Sequence, residues 1–113
     1  MLFRSGSTIT TGLKNYAIVP YNIIIEEWNL SSDQSGSIQI DIWTTDQNNA
    51  PPTISDSITA GSPPSLSSEQ FKTSSNISGW STLIEASNVV AFNVDSVVDI
   101  TQANLTFKIK KEI

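Results

Sequence analysis

The chain has 113 residues, a formal net charge of −5, and neither cysteine nor histidine. This is the length of one domain, and a compact fold of this size buries roughly two thirds of the surface that its unfolded chain exposes. Without cysteine, neither a disulfide framework nor a thiolate metal site can form. Without histidine, the usual general base of an enzyme is missing.

The charge distribution also argues against two classes of partner. Only six residues are basic, and the eleven acidic residues are spread along the chain. Nucleic-acid binding needs a basic face that releases counterions from phosphates, so we predict no nucleic-acid partner. No segment approaches the roughly 20 apolar residues of a membrane span, so we predict no membrane partner.

Residues 1–21 are predicted to form an N-terminal arm with a first short strand, and residues 22–113 a single β-sandwich domain. Asn15–Val19 (NYAIV) has the composition of a strand, and Pro20 suits its end because proline cannot donate to a ladder. We treat the arm as a candidate docking segment.

The next two apolar runs predict a β-hairpin. Asn22–Leu30 and Ile38–Trp43 are rich in β-branched residues, and Ser31–Gly36 between them supplies the Asp, Ser and Gly of a short turn. The apolar residues change parity within the first run, which predicts a bulge near Glu26 or Glu27.

The second run alternates with the period of a half-buried strand. Its core face is predicted to consist of Ile38, Ile40 and Ile42. The opposite, wet face is predicted to consist of Gln39, Asp41 and Trp43. These last three residues are our candidate interface or ligand contacts.

Tryptophan side chains stack on sugars and anchor protein interfaces when they are exposed, and fill cores when they are buried. Trp28 and Trp80 are predicted to be core residues. Trp43 is the best contact candidate by parity, and the alternative is a partly exposed ring that lies against the following Pro/Ser-rich loop.

Residues 44–76 form a polar stretch that is too long for an unstructured loop of a compact domain. We therefore expect Thr53–Ile58 or Ser65–Lys72 to pack as short strand or turn, anchored by Leu66 and Phe71.

Three further strands are predicted toward the C-terminus. They lie in Gly79–Glu85, Asn88–Val94 and Thr101–Lys110, the last with clean alternation. Several short strands separated by turns, with no long helical period, predict an all-β fold, specifically an antiparallel, jelly-roll-like β-sandwich.

Catalysis in this chain would have to depend on carboxylates, for example those that cleave glycosides in pairs. The available residues are Glu26, Glu27, Asp41 and Asp56. The adjacent Glu26 and Glu27 point to opposite faces of a regular strand, and a small domain seldom offers a deep cleft. We predict that the protein is not an enzyme.

Two short acidic motifs have oxygen ligands for a hard cation such as calcium, at Asp33 with Ser35 and at Asp46 with Asn48 and Asn49. Neither has the spacing of a known calcium loop, and the turn chemistry of Asp and Asn explains both. We predict no metal and no cofactor.

Five blocks of sequence occur in an order that resembles a β-rich domain of tailed-bacteriophage and prophage virion proteins, such as tail, fibre and capsid-surface components. The blocks are DQSGSIQIDIW (Asp33–Trp43), PPTISDSI (Pro51–Ile58), PSLSS (Pro64–Ser68), GWST (Gly79–Thr82) and VAFNVDS (Val90–Ser96). Residues 1–21 lie outside the resemblance.

The resemblance implies a structural protein of the virion, assembled in the bacterial host cytoplasm, that decorates the capsid as a head fibre or belongs to the tail or tail fibre. It implies other virion proteins and copies of the chain itself as partners, with a homotrimer as the expected oligomer. The alternative function is a carbohydrate- or host-receptor-binding module, in which Trp43 contacts host surface glycans.

Overall fold

The computed structural model describes residues 2–4 and 9–111, which form seven strands and one 3-10 turn, Ile54–Asp56. The strands are β1 (Leu2–Arg4), β2 (Gly12–Ile18), β3 (Ile23–Thr45), β4 (Ser65–Ser74), β5 (Leu83–Ile84), β6 (Val89–Val98) and β7 (Gln102–Lys111). No helix in the described part of the chain is long and apolar enough to cross a membrane. The predicted all-β fold is confirmed.

All seven strands belong to one sheet, and every pairing between them is antiparallel. The main order is β1-β7-β3-β6-β2, and β4 and β5 also pair with β3. The central strand is therefore β3, which contacts four other strands.

Strand β3 is one long, bent strand and not the predicted hairpin. Its 23 residues would extend about 75 Å if straight, at about 3.3 Å per residue. The molecule is only 38 Å long, so the strand must bend. Residues Ile23–Ser32 pair with β7, and residues Ser37–Thr45 pair with β6. The expected turn at Ser31–Gly36 is wrong because this segment keeps partners on β4 and β7 and continues the strand through the bend.

Gly36 lies at the bend of β3, and the end of β6 packs closely against its backbone. A Cβ added to Gly36 would stand 2.5 Å from the carbonyl oxygen of Val98 and 2.7 Å from Cγ1 of Ile100. Real Cβ atoms do not approach other atoms this closely. The position is therefore closed to any larger side chain unless the strands separate.

The carboxylate of Asp33 links the bend of β3 to the connection between β6 and β7. It accepts hydrogen bonds from the backbone N–H groups of Thr101 (3.3 Å) and Gln102 (3.0 Å), and from the Thr101 hydroxyl. These bonds, foremost the one from the Thr101 side chain, lower the pKa of Asp33 below its usual 3.8. The Asp33 side chain thus bonds to a segment distant in the chain, and the local turn bonding predicted for it is not what these contacts show.

The core lies between the two halves of the bent sheet. Ile23 and Ile25 from the start of β3 line the same apolar cavity, of about 110 Å³, as Ile42 from its end. Phe92 of β6 and Phe107 of β7 stack with their ring centroids 6.4 Å apart. The two halves of the sheet therefore face each other, and the jelly-roll-like sandwich connectivity stays a prediction.

Both tryptophans predicted for the core are there. Trp28 is 5% exposed and Trp80 is 7% exposed, and the indole N–H of Trp80 donates to the carbonyl of Ser62 at 3.0 Å. Burial of Trp80 with this bond attaches residues 44–76, which we call the polar middle segment, to the core.

The polar stretch 44–76 is ordered as expected, and Ser65–Ser74 forms β4. Leu66 is buried and anchors it, but the prediction that Phe71 is a second anchor is wrong, since its side chain is 68% exposed. Phe71 lies opposite Ser31, which points outward because the preceding Leu30 points into the core.

The remaining strand predictions agree with the structure except in their lengths. The strand at Asn15–Val19 is confirmed as β2, and the bulge in β3 lies between Ile25 and Glu27. The two C-terminal strands are confirmed as β6 and β7, whereas Gly79–Glu85 contributes only the two residues of β5.

The N-terminal segment takes part in the sheet. Strand β1 pairs with β7, and β2 pairs with β6. Residues 1, 5–8 and 112–113 of the two predicted regions lie outside the described residues. The docking role of residues 1–21 stays a prediction.

Candidate recognition face

Strands β2, β6 and β3 place an aromatic row on the outward face of one half of the sheet. Tyr16 of β2 lies directly opposite Ala91 of β6, and Ala91 lies directly opposite Trp43 of β3. Directly opposite residues share one face of a sheet. Val90 and Phe92 line the core cavity, so Ala91 between them points outward with Tyr16 and Trp43.

Two further rows flank the aromatic row, and together the three rows form what we call the recognition face. The register places Leu13, Asn93 and Asp41 in one flanking row, and Ile18, Val89 and Thr45 in the other. Leu13, Tyr16 and Ile18 of β2 are 40%, 53% and 61% exposed. Strand β2, the outer strand of this face, therefore contributes its most exposed apolar side chains.

Trp43 is half-buried and held in one orientation. Its indole N–H donates to Oδ2 of Asp41 at 2.9 Å, and its backbone forms an isolated bridge with Ser57 of the polar middle segment. Trp43 thus lies on the outward face, as its parity predicts, and it also contacts the Pro/Ser-rich segment.

Asp41 is buried, with 7% of its surface exposed, so the expectation that it lies on a wet face is wrong. Besides the bond to Trp43, it accepts hydrogen bonds from the backbone N–H of Ile42 (2.8 Å), the hydroxyl of Ser57 (2.8 Å) and the hydroxyl of Thr59 (2.7 Å). The middle segment packs over the carboxylate and satisfies it. Asp41 therefore positions Trp43 and is not accessible to a ligand.

A small polar cluster lies at the end of the recognition face, where β6 shifts register against β3. The exposed carboxylate of Asp95 accepts from the side-chain amide of Asn93 at 2.6 Å and from that of Gln39 at 3.3 Å. The structure thus brings the predicted Gln39 and Trp43 to one face, and the buried Asp41 holds the indole of Trp43.

Tyr16, Asn93 and Asp95 join this face without having been predicted for it. Tyr16 belongs to a predicted strand, but the sequence contains no signal for which strand is its neighbour. The register between β2, β6 and β3 is a tertiary property, and it alone brings Tyr16 beside Trp43.

The other carboxylates that were considered for chemistry lie in residues 44–76 or at the bulge of β3. Asp46 accepts from the backbone and side-chain N–H groups of Asn49 (2.9 Å each), which confirms turn chemistry, and Asp56 accepts from the backbone N–H of Thr53 at 2.9 Å. Glu26 is exposed at the β3 bulge, and Glu27 lies opposite Lys108. Among residues 2–4 and 9–111, no three His, Cys, Asp or Glu residues are grouped so that they could hold a metal ion.

Neither a family model, nor a curated protein, nor a solved structure matches the chain.

Proposed function

We propose that this protein is a non-enzymatic structural part of a bacteriophage particle, located on the capsid surface as a decoration or head fibre, or in the tail or tail fibre. The first support is the ordered set of sequence blocks described above. The second is that acidic side chains serve the fold and not a reaction. Four of them accept hydrogen bonds from other groups of the protein: Asp33, Asp41, Asp46 and Asp56.

The blocks occupy one contiguous part of the molecule. Asp33–Trp43 contains the bend and most of the second half of β3, and Val90–Ser96 lies beside it in β6. On the other edge of β3, the backbone N–H of Ile58 donates to Ile42 and that of Ile40 donates to Pro64.

The remaining block joins the same unit. The backbone N–H of Ser81 donates to the carbonyl of Ile58, and Trp80 reaches Ser62. A sequence pattern shared between domains should correspond to residues that fold together, and this contiguity supports the resemblance.

The observation that carries the assembly role is the exposed apolar side of β2. Among the described strands, β2 pairs only with β6, and its outward side chains Leu13, Tyr16 and Ile18 are each at least 40% exposed. An edge strand with an apolar face is a site where a further chain adds or packs. Most homo-oligomers have closed point-group symmetry, and we expect a trimer.

Light scattering of the purified protein, together with detection of the chain in purified particles, tests this proposal. The expected solution mass is three times the 12.3 kDa of the chain. A strict monomer that is also missing from particles would contradict the proposal.

The second candidate function is a carbohydrate- or receptor-binding module. The aromatic row favours it specifically, because two aromatic side chains share an outward face beside the polar cluster of Gln39, Asn93 and Asp95.

A further inference from the structure

We infer that the recognition face binds the rings of an uncharged saccharide chain across Tyr16 and Trp43. The inference rests on the second function proposed above and gives it a site and a ligand class.

The aromatic row has the dimensions and the surface for stacking on sugar rings. Tyr16 and Trp43 are separated by two strand spacings, about 9–10 Å. Ala91 lies between them in the same row and is fully buried. The faces of aromatic rings carry partial negative charge, and the C–H groups on the apolar face of a sugar ring carry partial positive charge.

The Trp43 ring is held in place before a ligand arrives. Its N–H is bound to Asp41, whose carboxylate is held in turn by the hydroxyl groups of Ser57 and Thr59. A side chain that is already fixed loses little conformational entropy on binding, so more of the stacking energy appears as affinity.

The polar cluster next to the row complements hydroxyl groups. Each saccharide hydroxyl donates one hydrogen bond and accepts others, and a carboxylate has about four acceptor positions. Asp95 is exposed and accepts from Asn93 and Gln39, which leaves acceptor capacity for a ligand beside two amides that can also accept through their carbonyl oxygens. Apolar rings flanked by such groups match a ligand with C–H faces and hydroxyl edges.

The charges on the recognition face favour an uncharged saccharide over an acidic one. The face carries the carboxylates of Asp41 and Asp95, and the chain has a net charge of −5. The one basic residue of β2, Lys14, is outnumbered by these two carboxylates. Acidic saccharides and nucleic acids are repelled by this field.

Tryptophan fluorescence offers a direct test on the full chain. Trp28 and Trp80 are buried and Trp43 is half-buried, so quenching by acrylamide reports mainly on Trp43. The probes are four neutral hexasaccharides, built from α-glucose, β-glucose, mannose or N-acetylglucosamine, and one acidic hexasaccharide of galacturonic acid. We expect at least one neutral chain to lower the quenching constant in a saturable way, and the acidic chain to leave it unchanged.

Calorimetric titration of variants with the neutral chain that binds locates the site. Tyr16→Ala and Trp43→Ala should each weaken binding about ten-fold or more, and Trp43→Phe, which keeps a ring, should weaken it less. Tyr16 is 53% exposed, so its replacement keeps the fold even if Trp43→Ala disturbs it. Phe71→Ala is the matched control, because Phe71 is an exposed aromatic residue of β4 and should have no effect on binding.

Three results would overturn the inference: quenching that no neutral chain changes, equal binding of the acidic chain, or a Tyr16→Ala variant that binds like the native protein. If no saccharide binds and Tyr16→Ala instead dissociates an oligomer, the face is an interface between copies, and the assembly role stands alone. If a saccharide binds to a monomer that is missing from particles, the binding site stands and the assembly role fails.

Discussion

At the scale of single residues, the acidic side chains determine much of the local structure. Asp41 is the clearest case, because a buried carboxylate must have its oxygens satisfied. Four donors meet it, and two of them come from the polar middle segment. A residue that the alternating pattern assigns to the surface thus becomes the attachment point of a long loop.

We expect Asp41→Ala to lower the free energy of unfolding by about 2–4 kcal/mol, because it leaves buried hydroxyl and N–H donors without an acceptor. Urea unfolding followed by circular dichroism measures the loss. Asp95→Ala is the matched control, since Asp95 is exposed on the same face. A loss for Asp41→Ala no larger than that for the control would contradict the supporting role of Asp41.

Asp33 makes stability depend on pH in a defined direction. Its pKa in the folded protein lies below the usual 3.8, so the folded state favours the charged carboxylate. Its contribution to stability is complete above the unfolded pKa and is lost as the pH falls through the lower, folded pKa.

Asp33→Asn should therefore be less stable than the native protein at about pH 6, and the difference should shrink at about pH 2, where the native carboxyl group is itself protonated. Urea unfolding over this pH range measures both curves. Parallel curves for the two proteins would show that the bonds from Thr101 and Gln102 do not favour the charged form.

At the scale of elements, the bend of β3 is the feature that shapes the sheet. The register between β3 and β4 shifts between Ser31 and Gly36, and the backbone of Gly36 lies against Val98 at the end of β6. The bend turns one long strand into two halves that cover a common core.

We expect Gly36→Ala to destabilise the protein by about 1–3 kcal/mol, because the new Cβ would overlap the carbonyl oxygen of Val98 and the side chain of Ile100. Thermal and urea unfolding measure the change. The neighbouring Ser35 is exposed, and Ser35→Ala should change stability by less than about 0.5 kcal/mol. Equal stability of the two variants would mean that the strands separate freely at the bend.

At the scale of the whole molecule, the apolar side of β2 is the surface on which assembly would act. Ile18 is 61% exposed, so it adds little to the stability of an isolated chain. Exposed apolar side chains of this kind contribute most to stability when another chain buries them.

We expect Ile18→Asp to reduce the solution mass from that of an oligomer to that of the 12.3 kDa chain while the unfolding transition of the subunit is retained. Light scattering measures the mass, and Val98→Asp is a matched control, because Val98 is 57% exposed at the other end of β6. An unchanged oligomer in the Ile18→Asp variant would place the contact elsewhere on the molecule.

The sequence by itself determined the fold class, most of the strands and the core positions of Trp28, Trp80, Ile38, Ile40 and Ile42. These depend on local alternation and on side-chain chemistry, which every residue carries with it. The exposure of Phe71 and the burial of Asp41 depend on which segment covers each face.

Only the tertiary structure decided that Ser31–Gly36 continues one strand through a bend. A short segment that contains Asp, Ser and Gly suits a turn and a bend equally. Its pairing with β4 on one side and β7 on the other shows that it continues the strand. The same is true of the recognition face. Tyr16 and Trp43 lie far apart in the chain, and they share a row only because β6 pairs with both of their strands in one register.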